Sequence, residues 1–230
     1  MKRGILYGVG VGPGDPELLT LKARRILSEA DVIAVPDKGS GEKTALNIVK
    51  DYIQDKPLHT CAAPMVRDQA VLDRVRDSIA AELCGLLEEG KTVAFITLGD
   101  PSIYSTYLYI HRRVLAAGYE AKMVPGVPSF CAVAAQLGDG LCEGSDRLLI
   151  VPASHRDVAD CLAVDANLVF MKAGREIGAL RRTLAERGLL DRAAMVENCG
   201  MDGERVFPRF AEAPEDSGYF SVVVVKRDGE

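Results

Sequence analysis

Three short stretches hold the residue types that could seat a nucleotide-like ligand. They are "GVGVGPGDPELLTLKA" at residues 8–23, "TLGDPSIYST" at 97–106 and "VPGVPSF" at 124–130. Each closes an apolar run with a sharp turn of glycine and proline, and the first two place an acid directly before a proline. In open α/β sheets, ligands bind outside the carboxyl ends of the strands, where such loops sit. The first loop is not the dinucleotide fingerprint. Counted from Gly8, the third glycine position holds Pro13; counted from Gly10, it holds Asp15. A P-loop is excluded too, because no Gly-Lys-Ser/Thr follows. Asp37, after the second apolar run, could still take a ribose, so an NAD(P)-linked oxidoreductase stays open as the alternative class.

The elements that must position these loops alternate along the first half of the chain. "GILYGVG", "DVIAVP", "LHTCA", "TVAFITLG" and "EAKMVPG" read as strands. Between them, "TLKARRILSEA", "TALNIVKDYI", residues 69–89 and "STYLYIHRRVLAAG" read as helices, with Thr20 as an N-cap. Val71, Val75, Ile79, Leu83 and Leu87 recur every four residues, the spacing of an apolar helix stripe. This βαβ alternation predicts a mostly parallel α/β sheet. The turn signals near 124–129 predict a boundary, dividing the chain into an N-terminal α/β domain over 1–124 and a second over 125–230. In the latter, "RLLIVPA", "NLVFMKAG", "AAMVEN", "ERVF" and "YFSVVVVKR" lie closer together, which predicts a mixed sheet.

Composition narrows the class further. The 230 residues include 28 Lys+Arg against 33 Asp+Glu, a formal charge of −5 that speaks against a nucleic-acid partner. No apolar run is long enough for a membrane helix. Six cysteines without a CxxC pair suit a reducing, cytoplasmic compartment, and three scattered histidines predict no metal site. For Tyr104, Tyr107 and His111, the i, i+3, i+7 spacing is that of ordinary helix packing. His155 and Cys61 read as structural.

Taken together, the three loops resemble those of the tetrapyrrole methylases, the class III S-adenosylmethionine-dependent methyltransferases. "GEKTALNIV", "YSTYLYIHRR", "LVFMKAGR", "ENCGMDGERV" and "YFSVVVV" extend the likeness from about Gly4 to Lys226. The resemblance implies two α/β domains with a cofactor crevice between them, and a homodimer. It also implies S-adenosylmethionine as methyl donor, S-adenosylhomocysteine as product, and a small-molecule tetrapyrrole as acceptor. The expected reaction is methylation of a meso carbon of precorrin-2 or its cobalt complex on the way to the corrin ring. A sister methylase acting at another ring position is the near alternative, and a non-enzymatic nucleotide-binding module is a further one.

By the same resemblance, Pro13, Leu98, Gly99, Asp100, Ile103, Pro128, Ser129, Met171 and Cys199 contact the cofactor. Many relatives have threonine at the position of Pro128, which offers neither an amide donor nor a hydroxyl. Asp100, Tyr104, Tyr107 and His111 are the candidates for catalytic work, including removal of the proton after transfer. A polycarboxylate substrate on an acidic protein requires local cations. Arg67, Arg112, Arg113, Lys172, Arg175, Arg181 and Arg182 are available, with Lys172 and Arg175 preferred because they follow the "LVFM" strand.

Overall fold

The computed structural model describes residues 3–37, 43–63, 66, 68–154 and 158–227. The chain divides into two compact units, Met1–Pro128 and Ser129–Glu230. Arg67 and His155 lie outside the described residues, as does the start of the "GEKTALNIV" stretch.

The first unit is built on five parallel strands: β1 (Ile5–Gly10), β2 (Val32–Asp37), β3 (Leu58–Ala62), β4 (Thr92–Thr97) and β5 (Glu120–Val124), in the order β3-β2-β4-β1-β5. Helices α1 (Leu21–Glu29), α2 (Thr44–Val49), α3 (Gln69–Glu88) and α4 (Tyr107–Ala116) connect them. The central strands are apolar throughout because helices cover both faces. Val9, Val11, Ala94 and Ile96 pack with Ile26, Leu27 and Ile48 of α1 and α2 on one side. Leu6, Val93 and Phe95 pack with Ile79, Leu83, Tyr107 and Val114 of α3 and α4 on the other. Of the α3 stripe, Ile79, Leu83 and Leu87 are buried, while Val71 and Val75 are only partly covered.

Local caps set the helix starts. Thr20 Oγ1 accepts the Ala23 amide at 3.1 Å, as its position before "LKA" predicts. Helix α4 begins later than its apolar pattern suggests. Tyr104 lies outside it, on a left-handed backbone with φ 46°, so the helical spacing from Tyr104 to Tyr107 does not apply. The buried Ser105 hydroxyl caps instead, accepting the Tyr107 amide at 3.2 Å and pairing with Thr97 Oγ1 at 2.8 Å.

The second unit has the mixed sheet the crowded strands predict. Strands β6 (Leu148–Pro152), β7 (Asn167–Met171), β8 (Ala193–Glu197), β9 (Arg205–Phe207) and β10 (Ser221–Val225) lie in the order β6-β7-β10-β8-β9. β6 and β7 are parallel, whereas β10 runs antiparallel to both its neighbours. Helix α5 (Ser129–Leu137) packs on β8 and β10. The short α6 (Val158–Cys161) and the longer α7 (Ile177–Glu186) complete the unit. Its main core gathers Phe170, Ile177, Leu184, Met195, Phe210 and Val223. Among the described residues, no helix is long and apolar enough to cross a membrane.

Candidate functional site

The three glycine loops leave three adjacent strands, since β4, β1 and β5 are neighbours in the sheet. Their backbones are in direct contact. A Cβ on Gly10 would stand 2.6 Å from the Gly99 carbonyl oxygen and 2.7 Å from the Gly126 nitrogen, and one on Gly126 would stand 2.2 Å from the Gly99 oxygen. No side chain fits there. Gly99, at φ 69°, bridges antiparallel to Gly12, its amide donating to the Gly12 carbonyl at 2.7 Å. Because Gly126 is wedged between the other two loops, residues 125–128 go with the first unit.

Asp100 ties this junction together. Its Oδ1 accepts both the amide and the hydroxyl of Ser102, and its Oδ2 accepts the Gly126 amide at 3.0 Å. Thr20 Oγ1 adds a donor to the Pro125 carbonyl at 3.4 Å. A carboxylate has about four acceptor sites, and hydrogen bonds among the described residues fill three of them. Of the other residues the family likeness names, Leu98, Ile103, Pro128 and Ser129 are partly covered, while Pro13 is buried. A carboxylate with an acceptor position left beside tight backbone suits a ligand that carries an ammonium group.

Tyr107 and His111 are in contact on α4, whereas Tyr104 lies in the loop ahead of that helix. The Tyr107 ring is fully buried, lying where a Cβ on Gly8 would be, 2.0 Å from its nearest atom. Its hydroxyl donates to the Lys122 carbonyl at 3.1 Å and stands 3.0 Å from His111 Nδ1. Burial pushes the Tyr107 phenol well above its ordinary range, and burial followed by the nearby Arg112 charge pulls the His111 imidazole below its own. The phenol is a proton-holding packing group. Tyr104 is 47% exposed in the loop ahead of α4.

In the second unit, Met171 ends β7 and Lys172 follows it, and Asn198 and Cys199 follow β8, on either side of the start of β10. Cys199 is 8% exposed, and burial, reinforced by Glu204, raises its thiol to about 11, so it carries no thiolate at neutral pH. Lys172 and Asn198 both adopt left-handed backbone, at φ 60° and 51°. Such conformations cost a non-glycine residue about 1–2 kcal/mol, and they gather where function uses them.

The predicted carboxylate forks separate clearly. Arg113 is engaged by Asp77 at 2.6 Å and Asp73 at 3.0 Å, joining α3 to α4. Arg181 donates to the Ala213 carbonyl, faces Glu215 and covers Phe210. These two are structural, their charge already answered. Arg112, Arg175 and Arg182 are exposed, and Lys172 is partly covered. Two groups escaped the reading of the sequence. Glu197, 4% exposed, pairs with Arg205 and accepts the Gly218 amide, and Tyr219 stands beside Lys172. An acid closing the apolar "AAMVE" run was the available signal for the first.

Two α/β units, one with a glycine-loop junction at the carboxyl ends of adjacent parallel strands, define a small-molecule-binding α/β protein. Residues 5–214 match the family of Tetrapyrrole (Corrin/Porphyrin) Methylases, and the chain belongs to it. It is 34% identical over 233 residues to the cobalt-precorrin-2 C(20)-methyltransferase of Salmonella typhimurium, with 99% of this chain and 98% of the relative covered. The precorrin-2 C(20)-methyltransferase of a Sinorhizobium species is 33% identical, with 96% and 95% covered. Among solved structures, uroporphyrin-III C-methyltransferase from Thermus thermophilus matches with a TM-score of 0.72 at 26% identity, over 97% of this chain and 94% of that one. A uroporphyrin-III C-methyltransferase from Thermus thermophilus complexed with S-adenosylhomocysteine matches at 0.68 and 23% identity, over 96% and 97%.

Proposed function

We propose that this protein transfers a methyl group from S-adenosylmethionine to C-20 of precorrin-2 or cobalt-precorrin-2 in cobalamin biosynthesis. The observation that carries this reading is end-to-end similarity to enzymes named for that reaction, at 34% identity over 99% of the chain. The loop junction held by Asp100 is consistent with it. A cytoplasmic location and a homodimeric assembly belong to the same proposal.

When bound, S-adenosylmethionine supplies an activated sulfonium methyl, so the protein's task is mainly alignment. Gly99 and Gly126 bring backbone close to the ligand, and Asp100 Oδ2 takes its ammonium with the remaining acceptor site. Leu98 and Ile103 would contact its methionine part, and Pro13, Pro128 and Ser129 are the further residues that the family likeness assigns to its pocket. Met171 and the neutral thiol of Cys199 take the adenosine part. Lys172 and Arg175 receive substrate carboxylates. Tyr104 and His111 are the groups available to accept the departing proton, since Tyr107 is buried.

Anaerobic incubation with S-adenosylmethionine and either precorrin-2 or cobalt-precorrin-2 tests the reading. Mass spectrometry should show one added methyl, and carbon NMR should place it on the meso carbon between rings A and D. Methylation elsewhere on the ring would reassign the chain to a sister activity. No methylation by protein that binds S-adenosylhomocysteine would overturn the proposal.

A further inference from the structure

The end of β7 carries an arrangement that methyl alignment does not require. Lys172 Nζ lies 5.8 Å from the centre of the Tyr219 ring. Among the described residues, no carboxylate pairs with Lys172 or Arg175. Elsewhere in this acidic chain, cations such as Lys122, Arg113 and Arg205 sit against Glu or Asp. An aromatic face differs from a carboxylate in one respect that matters here. Its quadrupole holds an ammonium in place without neutralising it.

The surrounding backbone keeps that ring where it is. The Ala173 amide donates to the Ser221 carbonyl at 3.0 Å, and the Asn198 amide donates to that of Phe220 at 3.1 Å. Gly174 lies so close to the 217–218 segment that a Cβ on it would stand 2.1 Å from the Gly218 oxygen. Buried Glu197 accepts the Gly218 amide on one oxygen and Arg205 Nε at 2.7 Å on the other. Tyr219 itself packs edge-on against Phe220, with ring centres 5.3 Å apart at 78°. The turn after β7 and the segment before β10 are therefore one rigid piece, with Lys172 on a left-handed backbone beside Met171.

We infer that Tyr219, braced by Glu197, is a positioning residue that holds the Lys172 ammonium as a receptor for a peripheral carboxylate of the substrate. The inference rests on the proposed function for the identity of that substrate, a polycarboxylate macrocycle. Tyr219 sets the direction of the cation, and Lys172 supplies the charge. Fixing the ammonium in advance lowers the ordering cost of binding.

The test is steady-state methyl transfer by the full chain, with S-adenosylhomocysteine affinity measured by calorimetry on the same samples. Lys172→Gln keeps the backbone preference and should raise the KM for the tetrapyrrole about tenfold, with kcat and S-adenosylhomocysteine affinity unchanged. It should also weaken the salt dependence of kcat/KM. Tyr219→Leu should raise KM severalfold, Tyr219→Phe should restore it, and the leucine change should have no further effect in the Lys172→Gln background. Additive effects in the double variant, or an unchanged KM in Lys172→Gln, would overturn the inference. If the wild-type chain methylates no tetrapyrrole, the functional reading fails separately. The same variants are then read by fluorescence polarisation of uroporphyrin III. Equal binding by wild type and Lys172→Gln would overturn the receptor itself, and weaker binding by the variant would sustain it.

Discussion

Asp100 shows how one side chain can serve both fold and ligand. Three of its acceptor positions go to Ser102 and Gly126, which leaves the carboxylate as the tie between the second and third loops. Asp100→Ala removes the tie and the charge together. It should weaken S-adenosylhomocysteine binding by more than tenfold, since each hydrogen bond to a charged group contributes about 1.5–3 kcal/mol. Asp100→Asn keeps one acceptor oxygen and should fall between the two. Calorimetric titration reads both, and an alanine variant that binds like wild type would remove Asp100 from the site. The position of Asp100 after a buried strand was legible in the sequence. That its oxygens turn toward a loop beginning some two dozen residues later was not, because the contact depends on β1 lying between β4 and β5.

Among the elements, the packing of α4 on β1 is decided by a missing side chain. Gly8 shares a face with Leu6, and the Tyr107 ring fills the space a Cβ would take. Gly8→Ala must displace that ring or the helix. A cost of about 1–3 kcal/mol is expected from overpacking of this kind, read as a lower urea midpoint at unchanged slope. A midpoint equal to wild type would mean that α4 shifts freely. The sequence already places Gly8 in the first strand, "GILYGVG", as the fold bears out. Its packing role against Tyr107 was not legible, because that contact is tertiary. Apolar runs and Thr20 made most element positions legible. Ser105 or Thr106 before "YLYIHRR" likewise reads as a cap, and Ser105 does cap α4; that its hydroxyl also pairs with buried Thr97 is a tertiary arrangement.

For the molecule as a whole, the two units have separate cores, and ligand linkage offers a test that does not depend on turnover. S-adenosylhomocysteine at ~100 times its dissociation constant should stabilise the folded chain by about 2.7 kcal/mol and raise Tm accordingly. NAD should leave Tm unchanged. The opposite result would return the oxidoreductase reading, which the sequence left open through Asp37. That residue ends β2, two strands away from β1, while the loops of β4, β1 and β5 meet one another.

Local order along the chain is enough to announce the α/β class, the helices and the three glycine loops, because alternation, caps and turn residues act over a few positions. It also carries the family likeness. Which cations are free for a ligand belongs to the folded state. Arg113 and Arg181 stand beside Lys172 among the candidate cations in the sequence, yet Asp77, Asp73 and Glu215 meet the first two, while a tyrosine ring meets the third. Strand order brings such partners together across long stretches of chain, and no spacing within a motif encodes strand order.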